Sequence, residues 1–157
     1  MSFEYKGLHL MADVIVTDGN ELSNPASGVD LLERIVSSID MTLILPPVTV
    51  KFPHAVGEMD RVLEDLNSEG LSESNAAKNL NKLLRERKNE SYGYSTFAMI
   101  AESHLSIHTF PELSYFSFDC YSCKDFDSNK VLDLLHDEFS IKKIVVNRVE
   151  RRIPDVS

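Results

Sequence analysis

The chain has 157 residues, 43% of them hydrophobic and 26% charged, which is enough for one domain with a proper core spanning 1–157. Its formal charge of -9 argues against nucleic-acid binding, because phosphate recognition needs a basic footprint, and it suits a cationic small-molecule substrate. The N-terminus lacks the basic and apolar blocks of a signal peptide, and no apolar run approaches the roughly 20 residues that span a bilayer, so a cytoplasmic location with no membrane partner is expected.

Residues 7–17 alternate loosely and carry Leu8, Leu10, Val14, Ile15 and Val16, which predicts a strand ended by an Asp18-Gly19-Asn20 turn. Asn24-Pro25 is a helix start. Val29, Leu32, Ile35, Val36 and Ile39 follow at helical spacing and give one apolar face to pack on a sheet. Residues 42–52 read as a second strand, placed at an edge or bulged by Pro46-Pro47. Two short helices are then predicted, one through Val56, Met59, Val62, Leu63 and Leu66 and one through Ala76, Leu80, Leu83 and Leu84, parted by a break at Asn67 to Gly70.

Three strands follow in close succession over 92–101, 103–110 and 114–123, with Pro111-Glu112-Leu113 as the tight connection between the last two. In the last of them Phe116, Phe118 and Cys120 face one way, as core, and Tyr115, Ser117, Asp119, Tyr121 and Cys123 the other. Asp127-Ser128 caps a helix with an apolar stripe of Val131, Leu132, Leu135 and Phe139, and 143–149 closes the chain with a strand.

The two cysteines form a C-x-x-C, but spacing of three in a strand sends Cys120 and Cys123 to opposite faces, and redox pairs of this kind start helices. A structural zinc site needs about four ligands and no second Cys pair exists, so no metal is expected.

The run Ala101-Glu102-Ser103-His104-Leu105-Ser106-Ile107-His108-Thr109-Phe110-Pro111-Glu112 resembles the self-processing site of the prokaryotic-type S-adenosylmethionine decarboxylases, a pyruvoyl-dependent family. Tyr92 to Ile100 is similar to the strand leading into the family's cleavage point, Tyr115 to Cys123 to the strand bearing its catalytic cysteine, and Lys6 to Asp13 to its opening strand. The likeness is strong over 92–127, moderate over 6–40 and poor over 41–91, where 55–90 reads as a helical insertion. It implies an α/β two-layer sandwich, an antiparallel sheet with helices packed on one face, that forms a homodimer of cleaved protomers with active sites at the interface.

The resemblance also implies roles. Ser103 would attack the Glu102 carbonyl, and the resulting ester would break down to leave a pyruvoyl group, the covalent cofactor, at the head of a 103–157 fragment. His108 matches the family's processing histidine, and imidazole suits proton transfer near neutral pH. Ser95 matches a second processing serine. A substrate amine would then form a Schiff base with the pyruvoyl carbonyl, carbon dioxide would leave, and Cys123, twenty residues after Ser103, matches the donor that returns a proton to the α-carbon. Glu112 matches a carboxylate that binds ribose hydroxyls, and Leu105 and Phe110 match pocket walls, with Phe110 replacing the family's usual tryptophan.

One departure bears on the substrate. Where the family places an aromatic that stacks on adenine, ungapped counting from Ser103 puts Asn89, and Phe52 is the candidate to supply a ring instead. The leading expectation is decarboxylation of S-adenosylmethionine for spermidine synthesis. The alternative keeps the pyruvoyl chemistry with L-ornithine or L-arginine as substrate. A non-catalytic regulatory paralogue would predict loss of Ser103, His108 or Cys123, and all three are present.

Overall fold

The computed structural model describes residues 6–51 and 93–152. Alternation builds its sheet. In β1 (Lys6–Val16), Leu10, Ala12, Val14 and Val16 are buried on one face while His9, Met11 and Asp13 lie on the other, the two-residue period of a pleated strand. The same parity holds in β3 (Tyr94–Ile100), β4 (Ser103–Phe110) and β5 (Tyr115–Ser122), whose buried sides carry Tyr94, Thr96, Ala98 and Ile100, then Leu105, Ile107 and Thr109, then Phe116, Phe118 and Cys120. With β2 (Val48–Lys51) and β6 (Ile141–Arg152) these strands pair antiparallel throughout, in the order β2-β3-β4-β5-β1-β6.

Two helices among the described residues pack on the buried face, as expected for a two-layer sandwich. In α1 (Pro25–Ser38), Asn24 caps the N-terminus by accepting the Ala26 N–H, Pro25 takes the first turn where no amide partner is needed, and Leu31, Leu32, Ile35 and Val36 face the sheet. Gly28 lets α1 approach closely: a Cβ there would stand 2.4 Å from Cε2 of the Tyr94 ring. In α2 (Ser128–Glu138), Asp127 accepts the Asn129 N–H, and Val131 and Leu135 complete the core with Phe139 beyond the helix end. The helices are tied by Arg34, which bonds Asp30 on its own helix and Glu138 on α2. No helix of the described residues is long and apolar enough to cross a membrane.

Two expected strands differ in extent. Where a strand over 42–52 is expected, β2 covers Val48–Lys51 and Leu43 makes an isolated bridge to Ile100, because Pro46 and Pro47 have no amide to donate to a ladder. It lies at a sheet edge, as the prolines imply. The last strand is longer than 143–149: Glu150, Arg151 and Arg152 continue the pairing with Leu8, Gly7 and Lys6. The expected helices within 55–90 lie outside the described residues.

Candidate active site

Among the described residues, the sheet face away from the helices is uncovered, and most of the sequence-derived site residues lie on it or at its ends. They form two groups, not one. The first surrounds the turn between β3 and β4. Ile100 pairs with Ser103, so Ala101 and Glu102 alone make the hairpin turn. Two-residue hairpins favour Gly or Asn, and neither is present. The distortion falls on Ser103, whose φ is 151°, a conformation that costs a residue with a Cβ about 1–3 kcal/mol. Backbone strain therefore sits at the very bond the sequence marks for cleavage.

Neighbouring segments hold that turn from both sides. The Glu102 carbonyl accepts the N–H of Cys123 at 3.0 Å, and the Ala101 N–H donates to the Thr42 carbonyl at 2.8 Å. The Glu102 carboxylate accepts the Thr42 N–H at 3.0 Å, which, with the Lys124 charge nearby, moves its pKa below the usual carboxylate value. Lys124 is itself anchored to the Asp40 carboxylate at 3.1 Å, and its amide is bonded to the Ser122 hydroxyl at 2.9 Å. Cys123 is an exposed free thiol just past β5. Ser103 Oγ lies 3.1 Å from Nδ1 of His104.

The second group lies farther along β4. Register pairs Ser95 with His108, and the Ser95 hydroxyl is hydrogen-bonded to His108 Nδ1. Partial burial lowers the His108 pKa, so its ring is neutral and basic near pH 7. That ring packs against Phe110 (4.5 Å between centroids), Phe110 stacks on Tyr115 (5.6 Å), and the Tyr115 hydroxyl donates to Asp13 at 2.7 Å. Glu112 is exposed in the short 3-10 helix Pro111–Leu113 that follows.

Ser103 and His108 are five residue steps apart along the strand, roughly 16 Å at about 3.3 Å per residue. Within one chain the Ser95–His108 pair does not reach Ser103. Leu105 is fully buried on the helix side between Ala98 and Cys120, so its side chain packs the core and does not line the open face. Cys120 is likewise buried, and burial, reinforced by Asp119, raises its pKa to about 12. Phe52 and Asn89 lie outside the described residues.

Around His104 the structure gathers residues to which the sequence assigned no role. Phe97 stacks on its ring (5.6 Å, 19° between planes), Tyr121 and His9 pack against it, and His9 Nε2 bonds Asp119 at 3.0 Å. Strand parity puts Asp119 and Tyr121 on the open face, but their meeting with His9 depends on β1 lying beside β5, which no local pattern discloses. Thr42 was undetectable for the same reason, standing 60 positions from Glu102.

A family model described as S-adenosylmethionine decarboxylase matches residues 58–152. The S-adenosylmethionine decarboxylase proenzyme of Clostridium botulinum (strain Loch Maree / Type A3) is 25% identical over 149 residues, covering 94% of this chain and 96% of the relative. The arginine decarboxylase proenzyme of Aeropyrum pernix is 40% identical over 63 residues, covering 40% of this chain and 48% of the relative. Among solved structures, the adenosylmethionine decarboxylase of Aquifex aeolicus superposes with a TM-score of 0.64 at 22% identity, covering 98% of this chain and 97% of that one.

Proposed function

The chain belongs to the S-adenosylmethionine decarboxylase family, and from that premise we propose that it is a proenzyme that cuts its own Glu102–Ser103 bond and then decarboxylates S-adenosylmethionine, feeding spermidine synthesis in the cytoplasm. The observation that carries this reading is the state of the Glu102–Ser103 junction. A strained serine follows a carbonyl that is already polarised by the Cys123 amide, and hydrogen bonds from two other segments hold the turn in place.

In this reading Ser103 Oγ adds to the Glu102 carbonyl carbon and the C–N bond breaks, giving an ester. Loss of the Ser103 α-proton to His108 expels the Glu102 carboxylate, and hydrolysis releases ammonia. Residue 103 fits a pyruvoyl group, because it would head the new fragment at an edge of the open face with the exposed Cys123 beside it. That group supplies the electron sink for decarboxylation. Cys123 Sγ would then return a proton to the substrate, and the packed Phe97, His104 and Tyr121 rings form part of the adjoining surface.

The distance between Ser103 and His108 makes a homodimer part of the proposal: the Ser95–His108 pair of one protomer serves Ser103 of its partner. The open face suits such pairing, since Phe97, Met99, Val145 and Val149 are exposed there. A second reading, arginine as substrate, is favoured by the short match to an arginine decarboxylase proenzyme. The relative aligned along 94% of the chain supports S-adenosylmethionine.

Two measurements test this. Intact mass should give separate 1–102 and 103–157 fragments, the second lighter than its sequence by conversion of Ser103. Carboxyl-labelled S-adenosylmethionine should release labelled carbon dioxide faster than labelled arginine or ornithine. A chain that stays whole yet releases carbon dioxide would end the self-processing reading, and preference for arginine would transfer the assignment to the second one.

A further inference from the structure

We propose that His104 is the catalytic base that takes the Ser103 hydroxyl proton in the first step of self-cleavage, a refinement that rests on the self-processing reading above. The division of the site into two groups motivates it. His108 is roughly 16 Å along the strand from Ser103. His104 Nδ1 is 3.1 Å from Ser103 Oγ in the same chain.

The ring is held in that position from several strands. Phe97 on β3 stacks on it at 5.6 Å, Tyr121 on β5 packs at 5.9 Å with 58° between planes, and His9 on β1 meets it edge-on at 6.5 Å. A side chain with only a hydrogen-bonding duty would need no such clamp. Nδ1 accepts from the hydroxyl, so the tautomer assigned is the one protonated at Nε2.

The titratable and charged groups facing His104 are His9 from β1, Asp119 from β5 and Arg151 from β6, whose guanidinium lies 4.4 Å over the Tyr121 ring. Burial lowers the His104 pKa, His9 and Arg151 lower it further, and Asp119 opposes them. The result is an imidazole that keeps its lone pair at neutral pH and somewhat below.

The step balances without any added reagent. His104 Nδ1 takes the proton from Ser103 Oγ as the Oγ–C bond to Glu102 forms. The C–N bond of Glu102–Ser103 breaks, and the proton passes to the departing Ser103 nitrogen, leaving ester and amine. The Cys123 N–H stabilises the oxygen that carries negative charge on the way. Removal of the α-proton is a separate event at a separate base.

The test uses full-length chain made by cell-free translation, followed on denaturing gels through a chase with and without hydroxylamine, which cuts esters but not amides. His104→Phe keeps a stacking ring without an acceptor. His104→Asn keeps an acceptor near the Nδ1 position without a titrating group. Expected is a roughly 100-fold slower cleavage in His104→Phe, with no hydroxylamine-sensitive form accumulating. His104→Asn should be slowed and should lose the fall in rate expected of the parent chain as the pH drops below the ordinary histidine range. Should His104→Phe fail to fold by circular dichroism, the pH profile of His104→Asn decides. A hydroxylamine-sensitive ester in folded His104→Phe, or a parent-like rate and pH profile in His104→Asn, overturns the role of His104. An unmodified chain that never cuts overturns the self-processing reading itself.

Discussion

The main-chain N–H of Cys123 donates to the carbonyl oxygen of Glu102 at 3.0 Å, which ties the residue assigned to proton return directly to the bond assigned to breakage. Under the proposed function, this one residue would serve both reactions through different atoms: the amide during maturation and the thiol during turnover.

Cys123→Ala separates the two. The amide survives the substitution, so cleavage should proceed near the parent rate on a denaturing gel. Loss of the thiol should reduce kcat by about 100-fold or more in a carbon dioxide release assay. An uncut Cys123→Ala chain would mean that the side chain, and not the amide, supports processing.

Ser103 pairs chemical with conformational demand. Both Ser103→Ala and Ser103→Gly should remain uncut, but Gly accepts a φ of 151° without a Cβ clash. Relief of strain worth about 1–3 kcal/mol exceeds the roughly 0.4–1 kcal/mol that Gly adds to unfolded-chain entropy. Ser103→Gly should therefore melt above Ser103→Ala, and a lower Tm for the glycine variant would show that no strain is held there.

The two thiols should differ sharply in reactivity. Cys120 is buried with a pKa raised to about 12, so it holds almost no thiolate, while Cys123 is exposed. Brief iodoacetamide treatment of native protein near pH ~8 should alkylate Cys123 alone by peptide mass mapping. Equal labelling would contradict the buried placement of Cys120.

Glu102 makes the turn sensitive to acid. Its pKa is lowered chiefly by the Thr42 N–H bond, so its stabilising contribution is complete above the ordinary carboxylate value of 4.5 and is lost as pH falls through the lower folded value. In an uncut Ser103→Ala background, Glu102→Gln should flatten that part of the Tm profile. The effect should be small, because the carboxylate is only partly buried and is screened by solvent.

Gly28→Ala tests the seat of α1. Alanine would gain about 1 kcal/mol of helix propensity. Against this, its Cβ would stand 2.4 Å from a ring atom of the fully buried Tyr94, a clash that costs about 1–3 kcal/mol. Denaturant unfolding should show net destabilisation.

Much of this was legible in the chain order of residues. Strict alternation around Leu10, Leu105 and Phe118, the Asn24-Pro25 and Asp127-Ser128 caps, and the Glu102-Ser103 run gave the layers and the junction. What pattern could not supply was distance. Ser103 and His108 are close in sequence, yet an extended strand spends about 3.3 Å on every residue, and a motif that reads as one cluster becomes two. Leu105 was misplaced among pocket walls for a related reason: its parity with Ile107 directs it into the core. Thr42, His9 and Phe97 join the site only through cross-strand and loop contacts, which have no local signature.

The rims of the sheet have a bearing on how copies of the chain can meet. Among the described residues, one rim is β2, four residues long and preceded by Pro46-Pro47; the other is β6, studded with Lys142, Lys143, Arg148, Arg151 and Arg152. Short, proline-flanked or densely cationic borders discourage lateral ladder extension, which repels fibril-like growth. The homodimer proposed above would thereby be steered away from the borders and onto the broad flat side, where a pair closes and stops.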